Sequence, residues 1–474
     1  MVLQHTRTTA PPDIDFAAVR DDLGVPPDFP PEVVAAAEAA ARTPKLPPGD
    51  DTDLALVTVD PPGSMDLDQA VHIEQHDGGF RVHYAIADVA AFVTTRDPVD
   101  AEARRRGQTL YSPDLRTPLH PPILGEGAAS LLPDQVRPAF LWTIDVDADG
   151  TTTGVDVRRS QVRSRAKLDY PGLQAVLDSG TAPASVSAFP ALGQALLRQA
   201  RERDAIDLAL PEQEVVSGAD GRWSVVFRSQ LPIETWNAQV SLLTGRAAAG
   251  LMLESKIGLL RTLPPPEERA VAHLRRAAPG LGVAWPRGAS PGDVVSALDG
   301  ADPRHAAFID LAADLLRGAG YTAFDGTVPA QPGHGGVGAP YAHVTAPLRR
   351  LADRFALEVC VALAAGVEVP GWARSVLPEL PELMETSDHL AKQLERATVD
   401  LTEAFVLHGR EGHTFDAAVA DSSERSGTVV IDQPAVRARC DGAHLPLGQR
   451  IKVRLITADP TTRTVRFVPA DSAS

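Results

Sequence analysis

A chain of 474 residues with 44% hydrophobic side chains and a formal net charge of -17 has apolar material for two or three globular domains. It repels polyanions at long range, so any nucleic acid must be met by a local basic lining. No apolar run reaches bilayer length and Met1 to Arg7 carries no signal-peptide core, which excludes a membrane partner and makes the cytoplasm the expected compartment; Cys360 and Cys440 lie too far apart for a disulfide framework or zinc site.

Residues 1–46 begin with a Thr/Pro-rich lead, then two predicted helices, Asp15 to Leu23 and Pro31 to Arg42, separated by Gly24-Val25-Pro26-Pro27. The second opens on prolines and continues through alanines, both favourable for helix. Next, the alternating run Leu54 to Val59 reads as a strand delivering Asp60. Pro61-Pro62-Gly63-Ser64 must loop, Asp66 and Asp68 follow, and Ala70-Val71 resumes an extended pattern. Three carboxylates so close repel one another unless a cation neutralises them. An all-oxygen set with neither Cys nor paired His nearby suits Mg²⁺ or Mn²⁺ rather than Zn²⁺. A solvated acidic turn is the plainer alternative; the strand-loop-strand context and the apolar continuation argue against it.

The stretch Thr58 to Ile73 resembles the acidic signature of the ribonuclease II / ribonuclease R catalytic domain. In that family four aspartates, spaced like Asp60, Asp66, Asp68 and the next residue, hold the catalytic Mg²⁺. The resemblance therefore implies Asp60, Asp66 and Asp68 as metal ligands and Asp68 as a catalytic residue. Position 69 is Gln69, expected as a fourth ligand that binds more weakly through one neutral oxygen or with an extra water. The implied fold is α/β, a mixed sheet with surrounding helices, followed by a C-terminal five-stranded β-barrel. The family often carries cold-shock OB-folds ahead of its catalytic domain. Residues 1–46 are too short for one, so that guiding element is expected to be missing or replaced.

Beyond the acidic loop, Ala70 to Glu74 and Phe80 to Val89 pair as a predicted hairpin around Asp77-Gly78-Gly79. Asp88 is either a support for the metal loop or a strand-end cap. Asp100 to Arg106 reads as a helix, and the following Arg-Gly-x-x-x-Tyr resembles the family segment whose tyrosine stacks on a base near the RNA 3′ end, a role carried to Tyr111 with a core tyrosine as the alternative. Phe140 to Val146 is a strand. The basic run Arg158 to Lys167, facing RNA or solvent, leads to Leu168-Asp169-Tyr170, whose resemblance makes Tyr170 a second base contact. Leu208 stands where relatives often clamp a base with phenylalanine, so one stacking platform is expected to be lost.

Pro232 to Leu251 is the strongest central helix, with Glu234 in its first turn. The resemblance assigns Glu234 to the 3′-terminal ribose; a helix-dipole role competes. Gly333-His-Gly-Gly-Val-Gly338 satisfies a dinucleotide-binding spacing, but it opens no helix and fails that reading. Tyr341 to Arg354 resembles the family's tyrosine…threonine-x-proline-x-arginine-arginine motif. Pro347 reads as a helix start that puts Arg349 and Arg350 in the first turn, an unfavourable place for cations that bound phosphate would explain. Arg349 is the expected catalytic phosphate clamp and Arg350 a second RNA contact, an ordinary surface pair being the alternative. Helices continue to about Leu407, and Glu395 resembles a family glutamate near the leaving nucleotide.

From Gly409 five short β runs at close spacing read as a barrel resembling the OB-fold that closes the family's chains. This segment holds nine Arg plus Lys against eight Asp plus Glu, and its basic residues are expected to supply much of the affinity for long RNA. The organisation is thus a helical segment at 1–46, a catalytic domain at 47–407 and an RNA-binding OB-fold at 408–474. The reading is a Mg²⁺-dependent (or Mn²⁺-dependent) 3′-to-5′ exoribonuclease, a monomer with no nucleotide cofactor, hydrolysing single-stranded RNA to 5′-monophosphates. The alternatives are a catalytically degenerate RNA-binding homologue, motivated by Gln69, and a hydrolase of small phosphate esters, motivated by the acidic surface.

Overall fold

In the computed structural model, which describes residues 14–470 apart from 27, 207, 209–211, 219–222 and 301, two helices lead in. The Asp15 side chain caps α1 (Phe16–Asp22) by accepting from the Ala18 amide, and α2 (Pro31–Arg42) starts on its prolines. The two helices serve different cores. Phe16 sets its ring edge-on against Trp223 at 5.5 Å, whereas Val33 and Ala37 pack against the strands that frame the acidic loop.

Those strands are β1 (Leu56–Asp60) and β2 (Gln69–His76), and β2 turns at Asp77-Gly78, both at positive φ, into β3 (Gly79–Ala87). After α3 (Pro98–Arg106) and a ribbon of β4 (Leu110–Tyr111) and β5 (Arg116–Thr117) come the long strands β6 (Val136–Val146) and β7 (Thr152–Asp169). The order is β1-β2-β3-β6-β7, closed by β1 running parallel to β7 with Asp60 opposite Asp169. The expected mixed sheet is therefore a closed barrel in which β1–β7 is the parallel pair. Strand alternation divides the apolar side chains between two clusters: Val82, Tyr84, Ile86, Phe140, Trp142 and Ile144 join the helices, while Ala85, Ala87, Ala139 and Leu141 meet α2.

The helical layer begins with α4 (Tyr170–Asp178) and α5 (Phe189–Glu202), then the hairpin of β8 (Glu212–Ser217) and β9 (Trp223–Arg228), and α6 (Pro232–Ser255). β10 (Ile257–Thr262) is followed by a helical block of α7 (Glu268–Ala277), α8 (Pro291–Ser296) and α9 (Pro303–Ala312), then by its antiparallel partner β11 (Gly320–Asp325). A two-residue ribbon, β12 (Gly333–His334) with β13 (Ala339–Pro340), accounts for the glycine-rich motif. α10 (Leu351–Ala364), α11 (Gly371–Arg374) and α12 (Leu380–Leu407) complete the layer. Here the expected helix start is corrected: Pro347 lies in a turn, Arg350 is the N-cap and helix begins at Leu351, so neither Arg349 nor Arg350 occupies a first turn.

The last five strands, β14 (Thr414–Ser422), β15 (Ser426–Ile431), β16 (Val436–Asp441), β17 (Arg450–Asp459) and β18 (Thr464–Pro469), close a second barrel in the order β14-β15-β16-β18-β17. Ala404 and Leu407 at the end of α12 enter its core. Its basic side chains are mostly neutralised: Arg437 pairs with Asp310 and Lys452 with Asp416, Arg439 and Arg466 both reach Asp441, Arg450 pairs with Asp432, and Arg463 pairs with Asp22 of α1. The near-neutral charge of this segment thus reflects local ion pairs more than a free basic face.

Candidate active site

Asp60 ends β1 and the Pro61–Asp68 loop returns across the same end of the barrel. Its path is pinned at Ser130, whose hydroxyl donates to the Met65 carbonyl (2.6 Å) and accepts from the Leu67 amide (2.9 Å), while Leu131 N donates to Leu67 O (3.0 Å). Burying Leu67 in this way leaves Asp66 and Asp68 on either side of it. Asp68, only 4% exposed, accepts from the Leu348 amide at 2.8 Å and lies 3.4 Å from the Arg349 Nε. Asp66 pairs with Arg116, whose guanidinium also holds Glu126.

Electrostatically the three carboxylates form one group. Burial pushes the Asp60 carboxyl up to about 7, with Asp66 adding to the rise and Arg349 and Lys167 opposing it. Burial likewise raises Asp68 well above the carboxylate range against the pull of Arg349, and Asp66 again adds to it. The Asp60 Oδ2 is buried without a hydrogen-bond partner among the described residues. Buried carboxylates that repel one another and leave an oxygen unsatisfied have too little positive charge around them.

Gln69, expected as a fourth ligand, is held otherwise. Its Nε2 donates to the Thr345 carbonyl at 2.6 Å and its Oε1 accepts from the Tyr84 hydroxyl at 2.5 Å, so the amide ties β2 to the segment before Arg349. That segment is fixed twice more: Thr345 Oγ1 is 2.8 Å from Ser241 Oγ on α6, and Asp353 accepts from the Ala346 amide at 2.7 Å. Arg350 forks onto the same Asp353 at 2.9 and 2.7 Å. Its guanidinium therefore braces the turn, whereas Arg349 is a third exposed and touches Asp68 alone among the described residues.

The other expected site residues divide in the same way. Tyr111, opposite Arg116 in the β4–β5 ribbon, stays partly exposed beside Asp66; burial holds its hydroxyl up at about 12. Tyr170 opens α4 next to Asp60, accepts from Asn237 Nδ2 at 3.3 Å and is held up at about 12 by burial, with Asp60 contributing. Glu234 stands one turn before Asn237, but its carboxylate accepts from the Leu231 amide (3.0 Å) and from Arg228 (2.8 and 3.1 Å), so the helix-start role is filled. Glu395 lies on α12 two turns beyond Asp388, whose partners are Arg261 and Gln108.

Asp88 caps a short helical turn and pairs with Arg159 at 2.7 Å, a structural role rather than support for the aspartate loop. The basic run is likewise engaged within the fold: Arg158 meets Asp51, Arg159 meets Asp88 and Glu358, Arg165 donates to Thr52 O, and Lys167 reaches the Ser64 carbonyl of the acidic loop. Arg116, Tyr84 and Asn237 were not foreseen, and Lys167 only as the end of the basic run. A basic residue on the strand returning beside Asp60 is a signal that could have found Lys167; Arg116 carried none. Leu208 packs against the α7–α9 block, and the rest of its motif is largely outside the described residues.

Among the described residues no three His, Cys, Asp or Glu side chains stand at ready-made metal-ligand spacing. The chemistry of Asp60, Asp66 and Asp68 nevertheless fits a hard divalent cation. The donors are all carboxylate oxygens, one buried oxygen is unpartnered, and burial has raised the proton affinity of Asp60 and Asp68, as expected for sites that hold positive charge.

Comparison with known proteins adds family and fold. Residues 50–362 match the RNB domain and residues 413–470 match the RNase II-type exonuclease C-terminal S1 domain. Ribonuclease R of Aquifex aeolicus is 27% identical across 86% of this chain, which spans 63% of that relative's length. The structure of Mycoplasma genitalium RNase R in complex with ribose methylated single-stranded RNA superposes with a TM-score of 0.84 at 19% identity, over 96% of this chain and 77% of that one. Yeast Ssd1, described as a pseudonuclease, superposes with a TM-score of 0.69 at 18% identity, over 88% of this chain and 52% of that one. No helix among the described residues is long and apolar enough to cross a membrane.

Proposed function

The chain belongs to the RNB-domain family of ribonuclease R and ribonuclease II, and from that premise we propose that it is a metal-dependent exoribonuclease hydrolysing single-stranded RNA from its 3′ end to 5′-monophosphates. The observation that carries the reading is the buried Asp60 Oδ2, without a hydrogen-bond partner among the described residues, in a carboxylate that feels Asp66, as Asp68 does, with the partly exposed guanidinium of Arg349 beside Asp68.

Asp60, Asp66 and Asp68 would hold the divalent cation, Mg²⁺ or Mn²⁺, and a bound cation would supply charge for an attacking water and for the developing phosphorane. Arg349 holds a non-bridging phosphate oxygen, because among the described residues its side chain has one ion pair, a long one to Asp68, and its planar fork matches phosphate. Tyr111 and Tyr170 flank the aspartates on separate elements and present rings to the terminal bases. Glu234 and Arg228 set the end of α6 against Tyr170, with a ribose hydroxyl as a further partner. Gln69 keeps the Thr345–Arg350 turn in place, so the cation set is three aspartates rather than four. Arg350 acts by bracing Asp353, and Glu395 on α12 is assigned by the resemblance to the neighbourhood of the leaving nucleotide. Nothing in this mechanism calls for a nucleotide cofactor, a second subunit or a membrane, and a soluble monomer in the cytoplasm is the matching assembly.

A second reading, a non-hydrolytic RNA-binding member of the fold, is favoured by one observation: residue 69 is glutamine with its amide fully engaged. Incubating the full chain with 5′-labelled single-stranded RNA and Mg²⁺, with products sized over time, separates the two. Progressive shortening from the 3′ end, dependent on the cation, is expected. Intact RNA bound to protein that has consumed none of it would establish the second reading. Equal hydrolysis of mononucleotide esters and RNA chains would instead favour a small-ester hydrolase.

A further inference from the structure

The chain carries 62 acidic residues against 45 basic ones, and most of its half-buried arginines sit against a carboxylate. Arg203 and Arg246 depart from this. Arg203 is the C-cap of α5 and Arg246 lies in the second half of α6. Gly193 of α5 has room only for the Trp236 ring of α6, and ten residues further along each element Arg203 and Arg246 flank one segment, Gly338 closing on the Arg203 carbonyl and Ala342 on that of Gly245, next to Arg246. Arg203 buries Nε and Nη1 with no hydrogen-bond partner, and Arg246 makes no ion pair or hydrogen bond among the described residues. Glu202, the acid acting on Arg203, is exposed and takes a hydrogen bond from Gln199 at 2.7 Å. Burial and the neighbouring Arg203 hold the Arg246 guanidinium down at about 10. Two half-buried guanidiniums that repel each other, with no carboxylate paired to either among the described residues, are costly to keep unless an anion completes them.

The surroundings point to the source of that anion. The glycine-rich segment 333–338 closes over this spot: Ile206 N donates to Gly336 O at 3.1 Å, and a Cβ on Gly338, at φ 67°, would come within 2.1 Å of the Arg203 carbonyl. The same segment continues through Ala342, whose amide donates to Gly245 O at 3.1 Å, to Thr345 and Arg349. Along α6, Arg246 lies about 18 Å from Glu234, the span of a few nucleotides of extended strand. Resting on the exoribonuclease reading above, we propose that Arg203 and Arg246 form a phosphate subsite that holds one backbone phosphate of the RNA strand a few nucleotides from the aspartates.

The test uses the full chain in EDTA, so that binding is read without hydrolysis. Arg203→Gln, Arg246→Gln and the double variant are titrated against labelled single-stranded RNA of about a dozen nucleotides and against a dinucleotide, over a range of salt. The double variant is expected to bind the long strand about tenfold or more weakly and to lose about 0.7 from the log-log salt slope, the share of one phosphate, with dinucleotide binding unchanged and Arg246→Lys partly restoring the loss. Its thermal midpoint should equal or exceed that of the wild type, because a like-charge repulsion is removed. An unchanged slope in a folded variant overturns the subsite. An unchanged slope combined with loss of stabilisation by inorganic phosphate overturns the strand assignment and gives the anion to a free ligand. Wild-type protein that binds no RNA at all would count against the exoribonuclease reading instead.

Discussion

Changing Gln69 to aspartate would restore the four-aspartate pattern of the family, yet the structure predicts that it weakens the protein in the absence of metal. The shorter side chain cannot donate to the Thr345 carbonyl, which sits in a residue only 2% exposed, and it draws back from the Tyr84 hydroxyl, itself in a residue 1% exposed. Leaving one buried carbonyl without its donor costs about 1–3 kcal/mol, and a fourth carboxylate beside Asp60 and Asp68, both already raised by burial, adds to this. Gln69→Asp should therefore lose about 2–4 kcal/mol in EDTA near neutral pH. The loss should shrink on acidification, as the new carboxyl protonates, and on addition of Mg²⁺. Urea unfolding followed by tryptophan fluorescence reads all three conditions. An unchanged midpoint in EDTA would show that the Gln69 amide ties nothing together.

Asp68→Asn should retain RNA affinity while abolishing shortening of labelled RNA, since the Leu348 amide still finds an acceptor but one charge of the cation set is gone; near-wild-type turnover removes Asp68 from the mechanism. Tyr111→Ala should release strands early and leave longer limit products, because a lost base stack is worth about 1–3 kcal/mol; identical end products on a sizing gel would return Tyr111 to a packing role. Glu403 joins α12, the β8–β9 hairpin and the C-terminal barrel, accepting from Gln213 Nε2 and Arg437 N at 2.8 Å each, and burial pushes its carboxyl from 4.5 up to about 7. A raised folded-state value gives stability that is full below the ordinary value and is lost as pH rises through about 7. Glu403→Gln should therefore stabilise the protein by up to about 3 kcal/mol above that pH and flatten the fall in melting temperature between mildly acidic and mildly alkaline buffer; an unchanged pH profile would refute the assignment.

Much of the fold is legible in the residues themselves. The alternation in β1 to β3, the proline starts of α2 and α6 and the five close-spaced strands of the last barrel all express local preferences. What escapes is long-range. The parallel β1–β7 pairing that turns a sheet into a barrel joins strands about a hundred residues apart, and no local pattern marks it. The helix start at Leu351 was misplaced because proline commonly opens helices, whereas here Arg350 and Asp353 cap the turn from within. Arg116 and Asn237 enter the site through tertiary contacts with Asp66 and Tyr170, which their own neighbourhoods do not announce. The surplus of basic residues in the last barrel suggested a binding face, but charge counted along a sequence is blind to the acids that folding sets beside most of these arginines.

The β1–β7 closure and the Gln69–Thr345 tie also set an order of events on the ribosome. The acidic loop is made early, yet Asp169 must emerge before β1 has its second neighbour, and Thr345 must emerge before Gln69 has its acceptor and Arg349 can approach Asp68. Because chains fold as they are extended from the N-terminus, a nascent chain carries its aspartates through well over half of synthesis before Arg349 can stand beside Asp68. On the exoribonuclease reading proposed above, a product that stops before Thr345 is expected to be inert, so interrupted translation of this message would leave no nuclease able to attack the RNA that encoded it.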